Sequence, residues 1–134
     1  MYNTCELLKK SKNIAIVGIS QNSARISRVI ADYLLRNGYN IFGVNPNTSF
    51  IDAGGITIYN SLKEIPLEID IVDVFRKSED IPSIVEDVIS INPKAVWLQL
   101  GIRNDEAAKK IEDKGIKVIQ DTCIKVYHSM CFNN

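Results

Sequence analysis

A polar loop near the N-terminus carries the clearest chemical signal in the sequence. It covers residues 18–27, directly after the apolar run Asn13–Val17, and leads into a segment with helical periodicity. Such a loop joins the unpaired amides and positive dipole of a helix start to a glycine, Gly18, that can turn closely around a phosphate. After Gly18 and Ile19, four side chains can bind an anion: Ser20, Ser23, Arg25 and Ser27. We predict anion binding; an ordinary turn with Ser23 or Ser27 as the helix cap is the alternative.

Further candidates follow the later apolar runs: Asn45, Pro46, Asn47, Phe75, Arg76 and Gly101. The two asparagines can hydrogen-bond a base, a ribose or a phosphate, although Asn-Pro-Asn is also an ordinary turn sequence. Arg76 suits a phosphate, with a surface ion pair to Glu79 or Asp80 as the alternative. Phe75 can flank an adenine ring or fill the core.

Cysteine and histidine give little indication of catalysis or metal binding. Cys123 and His128 lie five residues apart, but a nucleophile and its base need a third orienting group, and a structural zinc site needs four ligands with closer pairs. We therefore predict no catalytic residue and no metal, with His128 as a local hydrogen-bonding residue. We expect the three cysteines to stay reduced, because a chain of this length needs no disulfides for stability.

The elements that must position these residues alternate along the chain. Apolar runs predict buried parallel strands at residues 13–17, 40–44, 69–75, 95–100 and 117–119. One-sided apolar stripes predict helices between them, with a brief strand near Ile56 and a short helix or turn after Asp121. The fold class is therefore α/β, a three-layer fold around a five-stranded parallel sheet with strand order 3-2-1-4-5.

In such a sheet the ligand crevice lies beyond the carboxyl ends of the strands, where the strand order reverses. This rule indicates the segment after each strand, including residues 99–102 and 121–123. An NAD site would usually show G-x-G-x-x-G and an acidic residue about 20 residues further on. Here the loop reads Gly18, Ser20 and Ser23 at those positions, and the second strand ends at Asn45. The loop is Rossmann-like without the NAD pattern.

Length and charge exclude several classes of protein. The chain has 134 residues, which fits a single domain over residues 1–134. Sixteen basic and sixteen acidic side chains cancel, so no net field favours nucleic acid or an anionic membrane surface. The sequence shows neither a secretory signal pattern nor an apolar run long enough to span a bilayer, so we expect a cytoplasmic protein.

Five short motifs occur in the order and spacing of a known family: Val-Gly-Ile-Ser at 17–20, Gly-Val-Asn-Pro-Asn at 43–47, Asp-Val-Phe-Arg at 73–76, Trp-Leu-Gln-Leu-Gly at 97–101 and Asp-Thr-Cys-Ile-Lys at 121–125. With His128, they resemble the stand-alone CoA-binding proteins that are similar to the N-terminal domain of the succinyl-CoA synthetase α subunit. The resemblance implies a Rossmann-like fold that binds coenzyme A, with the diphosphate on the first loop and other contacts from the second and third. The family often has prolines in that loop and a Tyr-Arg pair at the helix start, where this chain has Ser23, Ile26 and Arg28-Val29.

From these observations we expect a protein that binds coenzyme A or an acyl-CoA. It would serve as a carrier, a sensor or an accessory subunit without catalysis of its own, because the synthetase's phosphohistidine belongs to a second domain. A small NAD(P)-binding redox enzyme or sensor is the alternative, and a structural subunit without a ligand is a third hypothesis. The sequence leaves open whether the chain pairs with a partner protein or with copies of itself.

Overall fold

The computed structural model describes residues 3–46 and 52–132 as a sheet with helices packed on both faces. Its strands are β1 (Asn13–Val17), β2 (Asn40–Val44), β3 (Asp52–Ala53), β4 (Ile56–Tyr59), β5 (Ile71–Val74), β6 (Ala95–Leu98) and β7 (Lys117–Ile119). Its α-helices are α1 (Thr4–Lys10), α2 (Ile26–Arg36), α3 (Val85–Ile91), α4 (Asp105–Glu112) and α5 (Ile124–Phe132). Two 3₁₀ helices cover Leu62–Glu64 and Ser78–Ile84.

The strands form one sheet in the order β3-β4-β2-β1-β5-β6-β7. Every neighbouring pair is parallel except β3 and β4, which are antiparallel. The prediction of an α/β fold with a parallel sheet is confirmed, but the count of five strands is wrong. Six parallel strands lie in the order 3-2-1-4-5-6 when β4 takes the third place, and the core of the predicted order agrees with this arrangement.

The extra parallel strand is β4, which the sequence analysis predicted only as a brief strand near Ile56. It spans four residues, and its pattern of buried Ile56 and Ile58 around exposed Thr57 is too short for a firm period-2 signal. It pairs with β2 through Gly43 and Ile58, and a Cβ atom on Gly43 would collide with the Ile58 side chain. The bare glycine therefore lets β4 dock.

Two apolar layers enclose the sheet. On one face, α1, α2 and α5 pack through side chains that include Leu8, Leu34 and Ile124 against Ile16 and Trp97. On the other face, α3, α4 and the 3₁₀ helices cover a valine-rich surface of the strands. A parallel sheet buried on both sides explains why its strands read as continuous apolar runs. Among the described residues, no helix has the length and apolar character needed to cross a membrane.

The two ends of the described chain meet on the face that carries α1 and α5. Cys5 of α1 and Cys131 of α5 form a disulfide, with their Cα atoms 5.5 Å apart and a sequence separation of 126. The expectation that all three cysteines stay reduced is therefore wrong for this pair, while Cys123 is free. The sequence could not reveal the pairing because α1 was not predicted and only the docking of both helices brings the thiols together.

Gly18 makes the turn between β1 and the loop that leads to α2. Its φ angle is +88°, a conformation that side chains with a Cβ rarely adopt, and its amide donates to the Val44 carbonyl at 2.8 Å. A Cβ atom there would lie 2.9 Å from the Phe75 carbonyl oxygen. The glycine is therefore required both by the backbone angle and by the closeness of the chain after β5.

Replacing Gly18 by alanine should destabilise the protein more than replacing Gly38. Both glycines have positive φ angles, but a Cβ atom on Gly38 meets nothing within 4 Å. Each change should lower the free energy of unfolding by about 1–2 kcal/mol for the backbone angle. In Gly18→Ala the clash should lower the free energy of unfolding by about 1–3 kcal/mol more. Urea denaturation of both variants measures the difference. Equal losses in the two variants would contradict this account of the turn.

Candidate ligand-binding site

A pocket of about 630 Å³ opens at the carboxyl edge of the sheet, beside the reversal of strand order between β1 and β5. It is lined by these predicted ligand residues: Gly18, Ile19, Ser20, Arg25, Ser27, Asn45 and Phe75. The sequence analysis did not choose the others: Gln21, Ile26, Ile30, Gln99, Leu100, Ile102 and Cys123. Several of these lie in the segments after the strands, where the sequence analysis expected the ligand crevice. Their apolar and amide side chains did not indicate ligand binding by residue type.

Five candidates are not among the described residues of the pocket wall. Asn47 is outside the described residues, and four others do not line this pocket: Ser23, Pro46, Arg76 and Gly101. No ion pair among the described residues joins Arg76 to Glu79 or Asp80. Gly101 lies in the turn after β6. Its amide donates to the Asp121 carboxylate at 2.6 Å, so the hydrogen bond ties this turn to the segment after β7.

The loop after β1 is held by its own side chains. The Ser20 amide donates to the Ser27 hydroxyl at 3.0 Å, and the Asn22 amide donates to the Ser20 hydroxyl at 3.0 Å. The Ala24 amide donates to the Asn22 side chain at 2.9 Å. Three loop amides are therefore occupied by loop side chains, and the Arg25 amide donates to the Asn22 carbonyl at 3.0 Å. Because the Ser20 and Ser27 oxygens act here as acceptors, their hydrogens remain able to point at a ligand.

Helix α2 begins at the pocket without a side-chain cap. Its N-cap residue is Arg25, which makes no capping hydrogen bond, so neither Ser23 nor Ser27 caps this helix. The amides of Ile26 and Ser27 donate to no other described residue. A helix start with unpaired amides carries partial positive charge and attracts anions. Together with the Arg25 guanidinium, this end of the pocket suits a phosphate.

Arg28 supports the loop instead of facing the pocket. Its side chain is 6% exposed, and its Nη1 atom donates to the Gln21 carbonyl at 2.9 Å. A Cβ atom on Gly54 would collide with its guanidinium, so the chain beside β4 approaches it closely. Arg28 therefore links the β1–α2 loop to the neighbouring β3–β4 turn.

The ends of β2 and β5 complete the wall beside the loop. The Asn45 side chain donates to the Ile19 carbonyl at 2.9 Å, which ties the end of β2 to the loop after β1. Phe75 is half-buried, packs against the core layer of α1, α2 and α5, and lines the pocket. Both residues thus have structural contacts as well as a place at the pocket.

A buried carboxyl group lies behind the pocket, where the sequence analysis placed no functional residue. Asp73 is fully buried in β5, between Ile16 of β1 and Trp97 of β6. Its Oδ1 atom accepts a hydrogen bond from the pocket residue Gln99, and its Oδ2 atom has no partner among the described residues. Burial raises the pKa of Asp73 to about 8, and the bond from Gln99 offsets only part of this effect. Asp73 is the second of two acids in the mostly apolar run at 69–75, and an acid in the interior of such a run was the signal that could have revealed it.

Cys123 and His128 have different surroundings in the fold. Cys123 lines the pocket just before α5. His128 is buried, its Nδ1 atom lies 2.7 Å from the Tyr33 hydroxyl, and burial lowers its pKa. Among the described residues, no three histidine, cysteine or acidic side chains are grouped to hold a metal ion.

These features define a class. A parallel sheet with a glycine-led turn after β1, and a pocket at its topological switch point, is the arrangement of Rossmann-like α/β domains. Comparison with known proteins gives the family: residues 12–129 match the model described as CoA binding domain, and the chain belongs to that family.

Three relatives illustrate the match. An uncharacterized Bacillus subtilis protein, YneT, is 41% identical over 125 residues, which cover 93% of this chain and 91% of that protein. A solved structure from Thermus thermophilus, cell-free ID.343, is 32% identical, covers 95% of each chain and has a TM-score of 0.91. The alpha subunit of ADP-forming acetate–CoA ligase I from Pyrococcus furiosus is 29% identical over 119 residues, but this chain spans only 25% of its length.

Replacing Asp73 by asparagine should change how stability depends on pH. The folded state keeps the Asp73 proton up to about pH 8, whereas the unfolded chain releases it near the ordinary pKa of 3.8. The free energy of unfolding of the wild type should therefore fall through this window relative to that of Asp73→Asn, by up to about 1.4 kcal/mol per pH unit. Urea denaturation from pH 4 to 8 measures the difference.

The exposed Asp113 offers a control, because Asp113→Asn should follow the wild-type pH profile. Parallel profiles for the wild type and Asp73→Asn would show that the buried carboxyl does not hold its proton in the folded state.

Proposed function

We propose that this chain binds coenzyme A or an acyl-CoA in the pocket at the carboxyl edge of the sheet. The observation that carries the proposal is the uncapped start of α2, whose Ile26 and Ser27 amides and adjacent Arg25 line that pocket. Membership of the CoA binding domain family names the ligand class. The acetate–CoA ligase subunit supports it through the CoA in its name.

The diphosphate would lie against the α2 end of the pocket. Two amides, the hydroxyls of Ser20 and Ser27 and the Arg25 guanidinium can all donate hydrogen bonds there. The protein has no net charge, so this local concentration of donors must supply the attraction. Gly18 and Ile19 would contribute backbone close to the ligand.

The rest of the ligand would follow the apolar part of the wall. Ile30, Phe75 and Ile102 offer surfaces for the adenine ring or the pantetheine arm. Asn45 adds a polar group at the end of β2, where an NAD site would usually have an acidic residue. NAD is therefore the appropriate control ligand.

We propose a binding role, as a carrier, sensor or accessory subunit, without catalysis by this chain. The pocket thiol, Cys123, has no hydrogen-bonded base among the described residues, and His128 is engaged with Tyr33. Four proposed ligand residues do not line this pocket and remain predictions for a ligand that extends beyond it: Ser23, Pro46, Arg76 and Gly101. Asn47, outside the described residues, also remains a prediction.

Arg25→Gln should weaken coenzyme A binding by about three- to tenfold, because one charge-assisted hydrogen bond at an exposed position is lost. Arg36→Gln removes the same charge at the other end of α2, which has 11 residues and is therefore about 16 Å long. It should change the dissociation constant by less than about twofold, since salt screens charges at that distance. Isothermal titration calorimetry measures both, and equal effects would place the phosphates elsewhere.

Coenzyme A should also protect Cys123 from alkylation. Because this thiol lines the pocket, saturating coenzyme A should slow its reaction with iodoacetamide, whereas NAD at the same concentration should not. The iodoacetamide is kept in large excess over the thiol of coenzyme A, so that the free ligand does not deplete it. Mass spectrometry of the peptide that contains Cys123 measures the rate. An unchanged rate under conditions where calorimetry shows saturation would mean that coenzyme A binds away from this pocket.

A further inference from the structure

Gln99 reaches the pocket from the core. It follows β6, is 4% exposed and nevertheless lines the pocket. Its Nε2 atom donates to Asp73 Oδ1 at 2.5 Å, and Asp73 is itself fully buried in β5. The carboxamide is therefore oriented by a partner that the solvent cannot reach.

This orientation determines what Gln99 offers to a ligand. One of the two Nε2 hydrogens is committed to Asp73, which fixes the plane of the carboxamide and the direction of its carbonyl oxygen Oε1. Oε1 accepts no hydrogen bond from the described residues, so it is an oriented acceptor, beside the second Nε2 hydrogen. An acceptor held in a mostly buried place binds N–H and O–H donors and disfavours carbonyl or phosphate oxygens. Gln99 thus adds an oriented acceptor to a pocket whose α2 end offers mainly donors.

The position of Gln99 relates it to one part of the ligand. β6 lies two strands from β1, with β5 between them, so the two strand ends are about 10 Å apart. A ligand whose diphosphate lies at the β1–α2 loop must cross the end of β5 to reach Gln99. In coenzyme A the group that extends away from the diphosphate is the pantetheine arm, which contains two secondary amides with N–H donors.

We propose that Gln99 accepts a hydrogen bond from an amide N–H of the pantetheine arm, and that Asp73 is the positioning residue that orients it. This inference rests on the proposed function. It gives the pocket a second specificity element, which distinguishes a nucleotide with an amide-bearing arm from a nucleotide without one.

The test compares two ligands by isothermal titration calorimetry. One is coenzyme A, and the other is 3′-phosphoadenosine 5′-diphosphate, which lacks the pantetheine arm. The variants are Gln99→Met, which keeps the side-chain length without an acceptor, and Asp73→Val, which removes the orienting partner. Asp73→Asn is the matched control, because its side-chain oxygen can still accept from Gln99.

Gln99→Met and Asp73→Val should each weaken coenzyme A binding by between about twofold and tenfold and leave the affinity for the arm-less nucleotide unchanged. Asp73→Asn should bind both ligands like the wild type, and the double variant Asp73→Val with Gln99→Met should lose no more than Gln99→Met alone. Equal losses for both ligands in Gln99→Met, or no loss for either, would overturn the role of Gln99 while leaving coenzyme A binding intact. A wild type that binds neither ligand would instead overturn the proposed function and this inference with it.

Discussion

The close contact between the Gly18 turn and the end of β5 is the constraint on which the site depends. The backbone at Gly18 passes so near the Phe75 carbonyl that a single added carbon would lie 2.9 Å from it. This approach directs the chain over the carboxyl edge of the sheet and sets where α2 begins. If the turn were wider, the amides of Ile26 and Ser27 would move away from the pocket formed by the neighbouring strand ends.

The hydrogen bonds within the loop change how its chemistry should be understood. A phosphate-binding loop is often pictured with most of its amides directed at the anion, but here the amides of Ser20, Asn22 and Ala24 are taken by nearby side chains. Arg28 adds a further contact through the Gln21 carbonyl. The loop is therefore ordered before any ligand arrives, and a ligand would lose less conformational entropy in organising it. The Ile26 and Ser27 amides at the start of α2 are among the backbone donors that remain.

Much of the fold could be predicted because local patterns and tertiary structure agree. The runs at β1, β2, β5 and β6 are mostly apolar because both faces of the sheet are covered, and Asn104 caps α4 through its bond to the Ala107 amide at 3.0 Å. The misses share one physical cause, which is dependence on distant partners. β4 needs the bare backbone of Gly43, and Cys5 meets Cys131 only after α1 and α5 dock. Likewise, half of the pocket wall is made of ordinary residues such as Ile30 and Leu100, whose role comes from position alone.

The position of Asp73 is set by strand register and cannot be read from composition. Read along the chain, it is one acid in an apolar run; in the sheet it lies level with Trp97, two residues before Gln99. A neutral carboxyl at this place destabilises the fold relative to an apolar side chain unless its hydrogen bonds are satisfied, and no residue in the described part of the chain pairs with its Oδ2 atom. A valine would fill a strand like β5 at less cost to stability. Stability alone therefore does not account for Asp73, whereas the orientation of a side chain in the pocket wall does.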